Sequence, residues 1–231
     1  MKKNNKTKNI LAIETTSEIC GVAVLNGGIV YDNNINNGFN HSITLFNNID
    51  DGLKKSKLDM SNIDEIRVSN GPGSFTGIRI GVAAALGLSE RYNTKIKYVD
   101  TLDSLAYNVI NKQDVIISII DAKCDRVYIS LYLSKSFKRV CNDFIINVNE
   151  LCDNLNAKFK NKNISFALVG SGAANYSSIF KDKLDIDYKI FKKESQLKAS
   201  SLIFVEGKDN LIPDINYLLS SKAERERNGN S

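Results

Sequence analysis

Four small groups of residues in this 231-residue chain combine types and spacings that could do chemistry. Glu14-Thr15-Thr16 closes the first apolar run. A carboxylate followed by two hydroxyls can hold Mg²⁺ through water and offer hydroxyl and backbone N–H groups to phosphate. The same three residues can instead end a strand in a turn whose hydroxyls bond their own backbone. Ser69-Asn-Gly-Pro-Gly-Ser-Phe-Thr-Gly-Ile-Arg-Ile-Gly81 is the densest glycine segment. Gly71, Gly73 and Ser74 there could turn bare N–H groups toward an anion at a helix start. They could also simply let two elements approach closely. Asp121 mirrors Glu14, because Ile13-Glu14-x-x-x-Glu18 aligns with Ile120-Asp121-x-x-x-Asp125 at an offset of 107. A turn cap before Ala122-Lys123 is its alternative role. His41 is the only histidine, so no two-histidine metal site can be assembled. Ser42, adjacent on the same helix, is badly placed for a Ser-His-Asp triad.

The elements that must position these groups follow from hydrophobic period. Three β-type runs open the chain (9–13, 20–25, 29–33), with Asn26-Gly27-Gly28 as a hairpin signal between the last two. A helix over 41–56 follows, with Ile43, Phe46, Ile49 or Asp50, and Leu53 at helical spacing. A strand over 66–69, a helix over 76–91, a strand over 96–99 and a helix from Thr101 complete the first half. The second half repeats this order: strands at 115–120, 127–133 and, with a break, 137–148, then a helix at 150–159 and a strand at 165–169. The Gly170-Ser-Gly172 turn, a helix, a strand at 186–190 and a helix at 196–206 follow. Two βββαβα-type halves predict an α/β chain of two lobes, the architecture of actin, Hsp70 and sugar kinases. The expected divisions are a basic arm (1–8), an N-terminal lobe (9–110), a C-terminal lobe (111–221) and a mobile tail (222–231). Fold alone does not carry the activity of those proteins.

Gly77, Gly81 and Ala85 recur every four residues on helix 76–91. A glycine inside a helix costs about 0.5–1 kcal/mol relative to alanine, so this stripe predicts a close backbone approach. The neighbour could be the sheet or another helix, which makes helices 41–56 and 76–91 a candidate docking surface. Ile78, Val82 and Leu86 form a second, apolar line.

Charge narrows the function classes. Of the formal net +5, the four lysines of the arm supply four and the tail one, leaving residues 9–221 near zero. A chain gripping nucleic acid unaided usually carries a basic stripe on its folded body. Cys20, Cys124, Cys141 and Cys152 lack Cys-x-x-Cys spacing, which predicts reduced thiols and a cytoplasmic location. Apolar runs reach six or seven residues, too short for a membrane span.

The 69–81 segment resembles the signature of the bacterial TsaB (YeaZ) family. Leu11-Ala-Ile-Glu-Thr-Thr16, His41-Ser42, Thr101-Leu-Asp-Ser-Leu-Ala106, Ile120-Asp-Ala122 and Val127-Tyr128 fall in family order. The resemblance implies a non-catalytic subunit in placing the threonylcarbamoyl group on the tRNA adenosine beside the anticodon. Its implied partners are the catalytic TsaD-type subunit, which carries a two-histidine metal motif, and the TsaE-type ATPase. Contact with tRNA would be indirect, through the complex. The resemblance further implies docking of TsaD through the first two helices, here His41, Leu45, Phe46, Gly77, Ile78, Gly81, Val82 and Ala85, with self-association through the same surface when TsaD is absent. No cofactor is expected of this subunit, and ATP with Mg²⁺ belongs to the complex. Ile215-Asn-Tyr217-Leu218-Leu219 departs from the family's Pro-x-Tyr-Leu-Arg stretch. Two rival activities remain: an ATP-dependent phosphotransferase using Glu14 and Asp121, and a glycoprotease-like peptidase, which the lone histidine opposes.

Overall fold

The computed structural model of the chain describes residues 8–209 apart from 37 and 39. The tail and the 215–219 stretch therefore lie outside the described residues, as does all of the basic arm except Lys8. Two compact units emerge: the residues up to Ser104 together with the segment from Leu197, and Leu105–Gln196.

The first unit is built on β1 (Ile10–Glu14), β2 (Ile19–Asn26), β3 (Ile29–Asn36), β4 (Glu65–Ser69) and β5 (Lys95–Val99), in the order β3-β2-β1-β4-β5. β1, β2 and β3 pair antiparallel, while β1, β4 and β5 run parallel. Helices α1 (His41–Ser56) and α2 (Phe75–Tyr92) lie among these strands in the chain. Strand alternation sends Val22 and Val24 toward α1, where Gly52 leaves room for both. Leu45, Ile49 and Leu53 complete that contact and share one core with Leu11, Ile13, Val68, Ile78 and Val82. The buried stripe of α1 is thus Leu45, Asn48, Ile49, Gly52 and Leu53. Ile43 and Phe46, which share the helical spacing of Ile49 and Leu53, face solvent. The polar Asn48 takes a core position because its amide is satisfied there: it donates to the Cys20 carbonyl (2.9 Å) and accepts from Asn33 Nδ2 (2.7 Å).

The chain passes through α3 (Thr101–Tyr107) into the second unit. Its sheet comprises β6 (Val115–Lys123), β7 (Arg126–Leu133), β8 (Lys138–Arg139), β9 (Phe144–Asn147), β10 (Ser165–Val169) and β11 (Asp187–Ile190). The order is β11-β10-β6-β7, with β8 and β9 each pairing one half of β7. The third strand of the repeat is therefore split, as the expected break implied. α4 (Val148–Phe159) packs Leu151, Cys152 and Leu155 against Ile117, Ile119, Val127 and Phe166. The single helix expected after Gly170-Ser-Gly172 is two, α5 (Ser171–Asn175) and α6 (Ser177–Lys183), which break at Tyr176. The α/β class and the repeated βββαβα order hold in both units.

The last described helix, α7 (Ala199–Phe204), is shorter than the expected 196–206 and returns to the first sheet. It covers the face opposite α1, where Gly21 admits Ala199. Arg67 on β4 fixes its end, donating to the carbonyls of Ile203 (2.8 Å) and Val205 (2.7 Å) while its Nε pairs with Glu65.

Candidate functional site

Eight of the nine phosphate-site and glycine-stripe residues of the first unit, all but Ala85, converge on one clasp. β1 ends at Glu14, and the chain must turn to enter β2 at Ile19. Glu14 Oε1 accepts from the Thr16 N–H (2.7 Å) and the Thr16 hydroxyl (2.5 Å), so the carboxylate caps its own turn. The side chain has 0% exposure, and Oε2 has no hydrogen-bond partner among the described residues. Burial raises the Glu14 pKa, and the bonds from Thr16 only partly offset it.

The glycine-proline loop folds directly onto that turn. The Ser74 N–H donates to the Thr16 carbonyl (2.7 Å), and the Thr15 hydroxyl donates to the Gly77 carbonyl (2.7 Å). Gly73 sits at φ +158°, and a methyl group there would strike the Thr16 carbonyl. A methyl on Gly77 would land on the Thr15 carbonyl oxygen, and one on Gly81 on the Thr15 hydroxyl. Ser74 caps α2 by accepting from the Gly77 N–H (3.2 Å). Thr101 closes the loop from behind, its N–H donating to the Gly71 carbonyl (2.8 Å). Residue typing passed over Thr101; the only sign of it was its place at the head of the 101–106 segment.

Of the residues expected to form a phosphate loop, Glu14, Thr15, Thr16 and Ser74 make hydrogen bonds to one another and to the start of α2, while Gly71 meets Thr101 and Gly73 abuts the Thr16 carbonyl. The glycine stripe is likewise explained by an internal approach: α2 lies against Thr15 of its own sheet. Gly77, Ile78, Gly81, Val82 and Ala85 are buried in the first unit and do not form an outer surface. Leu45 is buried in the same core. His41 is 1% exposed, and its Nε2 donates to the Ser17 carbonyl (2.8 Å), tying the start of α1 to the β1–β2 turn. Burial lowers its pKa, which keeps the ring neutral. Of the expected interface residues only Phe46 is exposed, at 54%. Its outward companions are Ile43 (75%) on α1 and Leu86 (40%) on α2.

Asp121 stands in the second unit with partners of its own. Oδ1 accepts from the Lys123 N–H (2.8 Å) and Tyr176 hydroxyl (3.2 Å), and Oδ2 from Lys123 Nζ (3.0 Å) and Asn175 Nδ2 (3.0 Å). Burial alone would raise its pKa, but the bonds from Lys123 and Asn175 outweigh it and hold the group below the ordinary range. It is a turn cap, the second of the two roles its position allowed. Among the described residues no cluster of three His, Cys, Asp or Glu side chains could hold a metal ion. No helix among them is long and apolar enough to cross a membrane.

Comparison with known proteins agrees with this molecule. The family model for TsaD, tRNA N6-adenosine threonylcarbamoyltransferase, matches residues 27–215. The tRNA threonylcarbamoyladenosine biosynthesis protein TsaB of Buchnera aphidicola subsp. Schizaphis graminum is 29% identical over 88% of this chain and 91% of its own. TsaB of Bacillus subtilis is 34% identical over 55% of this chain and 56% of its own. A solved Pseudomonas aeruginosa structure, described as similar to peptidase YEAZ, superposes with a TM-score of 0.73 at 21% identity over 86% of this chain and 89% of that one. It shares the fold. The chain belongs to the family that the TsaD model describes and, within it, to the tRNA threonylcarbamoyladenosine biosynthesis proteins of the TsaB (YeaZ) kind.

Proposed function

We propose that this chain is a subunit without chemistry of its own, which docks a TsaD-type catalytic subunit through the outward faces of α1 and α2. In that complex it supports transfer of the threonylcarbamoyl group from threonylcarbamoyl-AMP to the tRNA adenosine beside the anticodon. The observation that carries the reading is the outward set Ile43, Phe46 and Leu86, large apolar side chains left in water on helices that pack beside each other. Apolar residues grouped this way mark an interaction surface. The clasp beneath supports it, since Thr15, Gly77 and Gly81 hold α2 rigidly against β1 and so fix the height of the outer face.

The TsaE-type ATPase joins the pair, and ATP and Mg²⁺ act there, outside this subunit. The cell compartment is the cytoplasm. Alone, the chain pairs with itself through the same face. No observation favours the phosphotransferase reading: Glu14 is sealed, and both oxygens of Asp121 are taken within its own unit. A peptidase of the two-histidine metal kind lacks its second histidine.

Sizing chromatography with the cognate TsaD-type subunit tests the docking face. Phe46→Glu/Leu86→Glu should weaken pairing by about 2 kcal/mol or more, roughly thirtyfold. Parent-like pairing by that double variant would refute the assignment. Gly81→Leu is a poor probe, because it strikes Thr15 inside the first unit.

A further inference from the structure

Among the described residues, every sheet edge but one is blunted. β5, at one end of the first sheet, carries Lys95 and Lys97, and its Tyr98 is already bridged by Lys208. In the second sheet β11 has four residues, Asp187 and Lys189 among them, and the other side ends in β8 and β9, of two and four residues. Charge, brevity and a covering segment are the means by which proteins keep sheet edges from pairing with other chains. β3 has none of them. It runs for eight residues, pairs with β2 along its whole length without a bulge, and lacks both lysine and proline. No strand among the described residues pairs with its outer side. Its one charge, Asp32, is drawn off the edge, the carboxylate accepting from the Ser200 hydroxyl (2.6 Å) on α7.

The hairpin fixes which backbone groups of β3 point outward. Gly27 and Gly28, both at positive φ, make a two-residue turn between the paired Asn26 and Ile29. Residues flanking such a turn exchange their backbone hydrogen bonds with each other, and alternate pairs do so from there on. Ile29, Tyr31, Asn33 and Ile35 are therefore spent on β2, whereas the N–H and C=O groups of Val30, Asp32, Asn34 and Asn36 face the open edge. Side chains brace the strand on both faces. Asn33 donates to Asn48 of α1 (2.7 Å), and Asn34 accepts from the Ala199 N–H of α7 (3.1 Å).

A second copy of β3 fits this edge. About a twofold axis through Asn33, an antiparallel pair sets Asp32 opposite Asn34 of the other copy, so outward backbone groups meet outward ones. Tyr31 then lies opposite Ile35 on both sides of the axis, an aromatic–β-branched pairing of the kind that stabilises sheets. A register centred on Asp32 would instead set two aspartates face to face, and one centred on Asn34 would lose the Tyr31–Ile35 contact. We infer that two copies of this chain join edge to edge through β3, merging their first sheets into one. The contact uses none of the residues of the docking face.

Sedimentation velocity over a concentration series tests the inference, on the full chain carrying Phe46→Glu/Leu86→Glu to disable the helical face. A dimer should persist there. Adding Tyr31→Lys/Ile35→Lys, which sets lysine against lysine, should raise its dissociation constant about tenfold or more, as should adding Tyr31→Glu/Ile35→Glu. Mixing the two charged sets should restore a pair. Without any change in β3, NMR exchange of the Asp32 and Asn34 amides should slow as the Phe46→Glu/Leu86→Glu chain is concentrated, because pairing takes them out of water. A monomer at every concentration overturns the inference and leaves the edge to an extended segment of another protein. So does a dimer indifferent to both charged sets, or a mixture that stays unpaired although each set melts like the parent. Asp32 and Asn34 amides that exchange alike in dilute and concentrated protein overturn it as well. Pairing with the TsaD-type subunit is read separately, so either assignment can fail alone.

Discussion

Glu14 shows how a side chain with catalytic credentials becomes a structural one. Its Oε1 accepts twice from Thr16, and its complete burial raises the pKa. A carboxyl whose pKa is raised on folding contributes stability that is fully present below its unfolded pKa and is lost as pH rises through the folded one. Glu14→Gln keeps an oxygen for both Thr16 donors and removes the titration. Its urea midpoint relative to the parent should therefore climb as pH rises above the ordinary glutamate range, and a difference independent of pH would contradict this account. Glu14→Ala orphans the Thr16 donors and should cost about 1–3 kcal/mol. Glu14, Thr15, Thr16, Gly71, Gly73 and Ser74 stand out in the sequence as a possible phosphate loop, because strand ends and glycine turns are local signals. The sequence left open whether their polar atoms face a ligand or one another, since that depends on a contact between residues about sixty positions apart.

At the scale of elements, α2 carries two kinds of glycine. Gly77 and Gly81 face Thr15, whereas nothing lies within 4 Å of a methyl group built on the outward Gly87. Gly87→Ala should stabilise the chain by about 0.5–1 kcal/mol through helix propensity alone. Gly77→Ala should destabilise it by about 1–3 kcal/mol, the usual range for overpacking, because the strand must shift. Thermal melting of the pair checks the contrast, and a matched sign would remove the clasp. Most element limits were legible from period: α1 spans 41–56 and β10 spans 165–169 as expected, and α2 extends its predicted span by one residue at each end. The orientation of α1 was less legible. Ile43 and Phe46 fit a helical period as well as Leu45, Ile49 and Leu53 do, and apolarity cannot tell a core stripe from a docking stripe. The polar Asn48 on the buried face made the true stripe harder to see.

For the whole molecule, the four cysteines offer a readout of both units. Cys20 is buried in the first and Cys152 in the second, and burial pushes the Cys152 thiol up to about 11. Cys124 is exposed and Cys141 partly so. A disulfide-exchange reagent near pH 8 should titrate two thiols in the native chain, at Cys124 and Cys141, and all four in denaturant. Peptide mapping that finds Cys20 or Cys152 labelled in the native state would contradict this packing. The duplication was readable at this scale because the 107-residue offset keeps strand ends and turns in step. The destination of α7 was not, since a short apolar helix carries no mark of the sheet it will cover. That return sets an order of assembly during synthesis. Domains generally fold as the ribosome releases them, N-terminal parts first. Here the sheet that starts the chain keeps its back face bare until α7 and the carbonyls held by Arg67 have been made. The described part of the second unit, continuous from Leu105 to Gln196, is complete before then. A nascent chain halted between Gln196 and Val205 should therefore display an open first sheet although the stretch from Leu105 to Gln196 has all been made.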